Sequence, residues 1–488
     1  MSEPTIFQLS SKDRSGARFP ESDVPDYALP GSFVRETLPL PEVSEIDVVR
    51  HFTRLSQKNY AIDLGLYPLG SCTMKYNPKI NEETARLPGF TFTHPLQSIM
   101  TTQGNLYLMY KLQEWLKEIS GFAAVTLQPA AGAQGELVGA LIIRAYHKDR
   151  RDQKRVKILI PDSAHGTNPA TSSMAGFEVI SLPSDSRGNV DLQALKELCT
   201  DELAGLMLTN PNTLGLFDEN VLEVIDLVHA AGGLVYGDGA NLNALLGITR
   251  PGDLGFDLMH FNLHKTFSTP HGGGGPGSGP VAVCEKLINF LPEPLVTIIE
   301  EGDEEDPPLY GFLKPAKSIG RMKSFHGHFG VLIRAFTYIN MHGAEGLRDI
   351  AEKAVLNANY LLSKVKDKYT LAYDRKCMHE FVLEGTWKDV PDLHALDIAK
   401  RLMDYGYHPP TNYFPLIVHE ALMIEPTETE SMQELDAFAN AMIKIADEAR
   451  SNPELLHSAP HNTPVGRCDE LKAARDLVLR CPPVLDKE

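Results

Sequence analysis

Between residues 100 and 300, short apolar runs recur at 157–160, 177–182, 204–209, 233–237, 258–263 and 280–284, and the stretches between them carry apolar side chains at helical spacing. Continuous apolar runs bounded by turn residues read as strands buried on both faces, and their alternation with helices predicts a layered α/β domain around a mixed, mostly parallel sheet. After Gly327 the pattern changes. Helical spacing continues to about Lys368, clearest over Ala351 to Val365. Short strands such as Glu380–Leu383 then mix with helices over Leu393–Tyr405 and Ser431–Arg450, predicting a smaller carboxy-terminal α+β domain. Ahead of both, Pro20, Pro25, Pro30, Pro39 and Pro41 favour an extended arm over a unit with its own core. The predicted division is an arm over 1–60, a large domain over 61–326 and a small domain over 327–488. The acidic stretch Glu300–Pro308 reads as a solvated loop.

The candidate chemistry falls at the ends of the predicted strands. Lys265 follows an apolar run, beside His264 and near Asn262, and a glycine loop from His271 to Pro280 comes next. A lysine so placed suits covalent attachment of pyridoxal phosphate, although one lysine alone reads equally as a solvated side chain. Asp238 ends the run Gly233–Gly237 and precedes Gly239 and Ala240. A carboxylate there can keep a pyridine nitrogen protonated, and alone it also reads as a loop cap. It lies 27 residues before Lys265, room for one helix and the next strand, so both can emerge at one sheet edge. His165, after the run Lys157–Ile160, is placed to stack on a cofactor ring or to order its own loop. Gly132, Ala133 and Gln134 open a helix continuing through Arg144, and backbone amides at such a start seat a phosphate.

Charge and cysteine content narrow the class. The 488 residues carry a net charge of −18, which argues against nucleic acid or an anionic membrane as the main partner. No apolar run approaches the roughly 20 residues that span a bilayer. The start of the chain has no basic and apolar leader, so a cytoplasmic protein is expected. Six cysteines, at 72, 199, 284, 377, 468 and 481, show no CxxC spacing and fit free thiols. Cys72 reads as a packed thiol rather than a reactive one.

Six segments together, Tyr67–Pro78, Gln128–Glu136, Asp162–Ala170, Thr209–Thr213, Gly237–Asn243 and Asn262–Gly277, carry a specific resemblance. The chain resembles the pyridoxal-phosphate-dependent glycine dehydrogenases (decarboxylating), the P-proteins of the glycine cleavage system, and among them the cofactor-carrying subunit of the two-subunit form. The likeness runs from about Tyr60 to about Thr463. It implies the fold type I architecture of pyridoxal-phosphate enzymes. It also implies decarboxylation of glycine with transfer of the aminomethyl group to the oxidised lipoyl arm of the H-protein, and a heterotetramer with glycine dehydrogenase subunit 1. Lys265, Asp238 and His165 are the expected catalytic residues. Asn210, Asn212, Ala240, Asn262 and His264 join Gly132, Ala133 and Gln134 as expected cofactor contacts. Ser71, Thr73, Lys75 and Arg321 are candidates for the grip on the substrate carboxylate, the arginine because its planar fork can bind bidentately. No metal is expected.

Two other readings stay open at this point. Another fold type I enzyme, such as an amino-acid decarboxylase or a cysteine desulfurase, would share the cofactor motifs. A non-catalytic assembly subunit would share the fold, but it has no need of Lys265, Asp238 and His165 together.

Overall fold

Strands that are apolar on both faces must be covered on both, and the sequence supplies helices for each side. A computed structural model describes residues 3–35, 38–271 and 275–479; Gly272–Gly274 of the glycine loop and Cys481 lie outside these residues. Seven strands form one sheet: β1 (Ala124–Thr126), β2 (Lys157–Pro161), β3 (Glu178–Leu182), β4 (Leu203–Thr209), β5 (Leu234–Asp238), β6 (Leu258–His260) and β7 (Val281–Val283), in the order β1-β7-β6-β5-β4-β2-β3. Strands β2 to β6 pair in parallel, whereas β7 runs antiparallel to both β6 and β1. The mixed, mostly parallel sheet is the one predicted.

Side chains alternate between two cores across this sheet. Ile158, Ile160, Leu234 and Tyr236 face one with Val138, Ile142 and Ile143 of helix Gly132–Asp149. Leu159 and Val235 face the other, with helices Gln103–Ser120 and Val221–Ala230. Helix Gly132–Asp149 lies very close to β5, since a Cβ at Gly139 would stand 2.2 Å from Cε2 of the buried Tyr236 ring. That contact holds the helix start at the carboxyl end of the sheet.

Strand β1 and one hairpin escaped the pattern. β1 has only three residues, and its Ala-Val-Thr carries no period. The acidic loop joins β8 (Leu295–Glu300) to β9 (Leu309–Leu313), an antiparallel hairpin whose outer end is exposed. The arm also differs from the expectation of an extended chain: residues 10–44 expose Phe19, Tyr27 and Phe33, but Glu45–Ser56 is helical. Ser44 accepts from the Asp47 amide while the Asp47 carboxylate accepts from Ser44, a reciprocal cap strong enough to start a helix.

A second sheet, antiparallel, has the order β10-β11-β13-β12, with β10 (Thr370–Leu371), β11 (Phe381–Glu384), β12 (Thr411–Asn412) and β13 (Ala421–Ile424). Helices Ala395–Asp404 and Met432–Ser451 cover it. The border with the large unit is less sharp than the sequence reading at 326/327. Helix Phe329–Val365 packs Leu332, Ala335 and Ile350 into the large core and Ala358, Leu361 and Val365 into the small one, with a non-helical turn at Gly343 inside the large-core part. From the other side, Leu66 is buried in the small core, Leu69 bridges to Ile424, and the Gly70 amide donates to the Met423 carbonyl. The chain before Ser71 is therefore fastened to the small sheet. Among the described residues no helix is long and apolar enough to cross a membrane.

Gly139→Ala tests the contact that holds helix Gly132–Asp149. Alanine gains about 1 kcal/mol of helix propensity, but overpacking against the Tyr236 ring costs about 1–3 kcal/mol. The expected outcome is a lower melting temperature, read by circular dichroism; an increase would mean that the helix and β5 stand further apart.

Candidate active site

The carboxyl ends of β2, β4, β5 and β6 lie side by side along one edge of the sheet, the edge at which open α/β sheets gather ligands. Asp238 is the last residue of β5, and its side chain is only 1% exposed. Oδ2 accepts from His165 Nδ1 at 2.9 Å, Asn168 Nδ2 at 3.3 Å and Thr209 Oγ1 at 3.4 Å, and Oδ1 accepts from the Ala240 amide at 3.0 Å. His260 Nε2 stands 3.5 Å from Oδ1. Burial would raise this carboxyl, but His165, His260 and the Ala240 amide outweigh it and hold Asp238 far below the usual carboxylate range.

His165 is the hinge of a continuous chain of contacts. Its Nε2 meets Ser71 Oγ, and one face of its ring stacks on Phe414 at 5.8 Å between centroids. Ser71 has a left-handed backbone, φ 67°, which turns its carbonyl to accept from Lys265 Nζ at 2.8 Å. Lys265, Ser71, His165 and Asp238 are thus joined in sequence, although they span nearly 200 residues of chain.

The helix start at Gly132 lies beside this group. Ala131 makes no side-chain cap, so the first amides of the helix are left without a side-chain partner. A Cβ at Gly132 would meet Asn262 Nδ2 at 2.3 Å, and one at Gly277 would meet His264 Nδ1 at 2.9 Å, so a backbone-walled cradle is built here from small residues. Ala133 is exposed at its mouth. Gln134 is partly committed, accepting from the Ala130 amide and donating to the Met322 carbonyl. Burial pushes the His264 and His271 rings down to about 3 and about 4, the neighbouring His271 lowers His264 further and the Lys265 charge lowers both, so both are neutral near pH 7.

Several expected contacts are spent elsewhere. Asn212 closes its own turn, accepting from the Leu214 and Leu216 amides and donating to the Gly188 carbonyl, whereas Asn210 keeps a buried Nδ2 without a partner among the described residues. Lys75 Nζ donates to Glu428 Oε1 at 2.6 Å, Asn243 Oδ1 at 2.7 Å and the Thr266 carbonyl at 2.9 Å, which uses its three protons. Thr73 Oγ1 donates to Glu425 Oε1 at 2.6 Å. Arg321 is exposed at the rim, with Nη1 3.5 Å from the Ser324 carbonyl. Of the four substrate candidates, Ser71 touches Lys265. Cys72 is half-buried.

The sequence reading missed the acids of this site. Glu136 is buried one turn into helix Gly132–Asp149 and accepts from Thr167 Oγ1; burial, then the Asp238 charge, push it up to about 8. Glu380 accepts from the Ser71 amide at 2.7 Å and is raised to about 7, by burial above all. Glu425 and Glu428 follow β13. Their signal was an acid-rich run directly after the apolar Ala-Leu-Met-Ile, a place where exposed charge would be out of keeping. A hollow of about 420 Å³ is lined by Pro276, His94, His326, His328, Phe329 and Arg334, and Lys265 is not part of its wall.

Comparison with known proteins gives this arrangement its relatives. The family model "Glycine dehydrogenase, C-terminal domain" matches residues 350–462. A protein of Alkaliphilus oremlandii named "Probable glycine dehydrogenase (decarboxylating) subunit 2" is 58% identical over 480 residues, covering 97% of each chain. Its namesake in Caldanaerobacter subterraneus is 59% identical, covering 97% of this chain and 98% of that one. The chain belongs to the glycine dehydrogenase (decarboxylating) subunit 2 family. The fold of this subunit 2 chain is also that of a solved glycine decarboxylase (P-protein) of the glycine cleavage system, with TM-score 0.73, 20% identity, and 86% and 93% of the two chains covered. A cysteine desulfurase from Thermococcus onnurineus shares it at TM-score 0.61 and 16% identity, covering 79% of this chain and 95% of that one.

For this family member, Glu136 offers a test of the electrostatics. Its folded value stands above the ordinary 4.5, so its contribution to stability is intact below that pH and erodes as pH climbs to about 8. Glu136→Gln should remove this part of the loss, giving melting temperatures that fall less between pH 5 and 8 than those of the unaltered protein. Parallel curves would mean that Glu136 is ionised in the folded state.

Proposed function

We propose that the chain is the pyridoxal-phosphate-carrying subunit of a glycine dehydrogenase (decarboxylating). In this reading it releases carbon dioxide from glycine and delivers the aminomethyl group to the oxidised lipoyl arm of the H-protein. The observation that carries this reading is the contact chain Lys265–Ser71–His165–Asp238 beside an uncapped helix start at the sheet edge. The residues fit the cofactor: a buried lysine amine, a deeply ionised carboxylate, and a cradle that any Cβ would fill.

Pyridoxal phosphate supplies, when bound, an electron sink for the charge left on the glycine α-carbon as its carboxylate departs. Lys265 is the amine that would hold it. The Gly132, Ala133 and Gln134 amides, with Asn262 and His264, would receive its phosphate, and the neutral His264 admits that dianion without a charge of its own. Asp238, kept ionised by its donors, would hold a proton on the ring nitrogen, with Ala240 shaping the same turn. His165 lies between Asp238 and Ser71, placed to hold or pass a proton next to Lys265. Ser71 orients the lysine through its carbonyl. With Thr73 and Lys75 committed to glutamates, the grip on the glycine carboxylate falls to Ser71 and to groups at the rim, where Arg321 stands exposed.

The partners follow from the same reading. A subunit 1 chain would complete a heterotetramer of two pairs, and the exposed Phe19, Tyr27 and Phe33 of the arm over 1–60 offer it apolar surface. The division into large and small units is proposed at 326/327, with the strap before Ser71 belonging to the small sheet. The expected location is cytoplasmic, without membrane or nucleic-acid partners. A desulfurase is disfavoured by the thiols: burial pushes Cys284 up to about 11 and Cys377 up to about 12, the reverse of what a sulfur nucleophile needs.

The test is to add pyridoxal phosphate to the purified chain, follow its visible absorbance, and measure carbon-dioxide exchange into glycine with subunit 1 and lipoylated H-protein present. A band that disappears in Lys265→Ala, with exchange at background, is expected. Asp238→Asn should keep the band and lower exchange about 100- to 1000-fold. A band without exchange in the full mixture would keep the cofactor and move the substrate to another amino acid.

A further inference from the structure

Alternate residues of the strap Ser71–Lys75 are bonded to three different glutamates of the small unit. The Ser71 amide donates to Glu380 Oε2 at 2.7 Å, Thr73 Oγ1 to Glu425 Oε1 at 2.6 Å, and Lys75 Nζ to Glu428 Oε1 at 2.6 Å. Glu380 immediately precedes β11, and Glu425 and Glu428 closely follow β13. Because Phe381 pairs with Ile424 across these antiparallel strands, all three carboxyls leave the same end of the small sheet. The strap thus touches the small unit along its length, and Lys265 donates to its first carbonyl.

The three carboxyls cannot all carry charge at equal cost. Glu428 has a direct cation, Lys75, and both side chains are nearly inaccessible, at 6% and 1%. Glu425 has none. Its Oε1 meets a neutral hydroxyl, and its Oε2 is buried with no hydrogen-bond partner among the described residues. His379 lies beside it; nearest donor and acceptor atoms of His379, Glu380 and Glu425 are within 4.8 Å of one another. Among the described residues both nitrogens of that fully buried ring lack partners, and burial lowers it to about 3, so it brings no positive charge. The remaining charged groups facing Glu425 are Glu380 and Glu428, which oppose its ionisation, and Lys265, which favours it but bonds to Ser71. Burial first, and Glu380 next, push Glu425 well above the carboxylate range. An unpaired buried carboxylate costs far more than a buried carboxylic acid, so a proton is the cheaper way to satisfy Glu425.

We propose that Glu425 is a neutral, proton-bearing positioning residue and Glu428 an ionised one, and that with Glu380 they register the Ser71–Lys75 strap against Lys265. The small unit would then shape the active site through hydrogen bonds to the strap, without itself reaching the reacting atoms. Its consequence for glycine rests on the function proposed above, but the placement of the proton does not.

The two charge states make opposite demands on glutamine, which is neutral and isosteric. In the full chain without cofactor, hydrogen exchange of the amides over 69–76 should be within about threefold of the unaltered protein in Glu425→Gln. It should be at least about tenfold faster in Glu428→Gln, where a buried lysine is left unpaired. Adding Lys75→Met to Glu428→Gln should restore protection, and this pair decides the matter if Glu428→Gln alone does not fold. The proposal is overturned if Glu425→Gln opens the strap as much as Glu428→Gln, if Lys75→Met brings no rescue, or if metal analysis finds a stoichiometric divalent ion, which would require Glu425 to be charged. Cofactor absorbance of the same variants is a separate readout: its absence in the unaltered chain would remove the proposed function and leave the exchange pattern to decide the strap.

Discussion

A carboxylate buried as completely as that of Asp238 must be surrounded by donors, and those donors come from most of the elements that meet at the sheet edge. His165 and Asn168 arrive from the loop and helix after β2, Thr209 from the end of β4 and the Ala240 amide from the turn after β5, while His260 of β6, bonded to Asn262, stands 3.5 Å away. Removing any one leaves part of a buried charge unmet, so the four strand ends are held in one relative position. The site's low dielectric follows from the same packing. It is why Glu136, close to Asp238, takes a proton near neutrality while Asp238 stays ionised: two acids of one pocket are separated by their donors.

The large sheet provides half of the arrangement. Lys265 is anchored on it, yet its amine donates to the carbonyl of Ser71, and the strap carrying Ser71 is fastened by Gly70, Thr73 and Lys75 to the small unit. At Gly70 a Cβ would stand 2.8 Å from the Met423 carbonyl carbon, so only a bare backbone approaches the small sheet this closely. The site is therefore a junction of two cores, with helix Phe329–Val365 passing through both.

Much of this was legible in the sequence, for a physical reason. Strands buried on both faces carry few polar residues, so β2 and β4 to β7 appeared as apolar runs, and the polar residues at or beyond their ends, His165, Asp238 and Lys265, stood out by contrast. β1 was too short to show a period, and the β8–β9 hairpin was obscured by its acidic loop. The cap at Ser44 and Asp47 was visible, but five prolines pulled the reading of the arm towards extended chain. The candidate site failed in one direction. Thr73 and Lys75 look like free polar groups in a motif, and only the fold brings Glu425 and Glu428, some 350 residues away, to occupy them. Glu380 and His379 gave no sign of burial, because they precede a strand of only four residues. Asn212 was a turn residue of the ordinary kind, its amide consumed by its own backbone.

The 37-residue helix from Phe329 to Val365 belongs to both cores, and this bears on how the chain can vary in length. One residue inserted into a helix rotates everything beyond it by about 100°. An insertion between Ala351 and Ala358 would therefore turn Ala358, Leu361 and Val365 away from the small core while Leu332 and Ile350 stayed in the large one. The acidic connection between β8 and β9 has no such neighbours, and gain or loss of residues there moves nothing else. Over evolutionary time the helix acts as a fixed ruler between the two units, and drift in chain length is confined to connections that measure nothing.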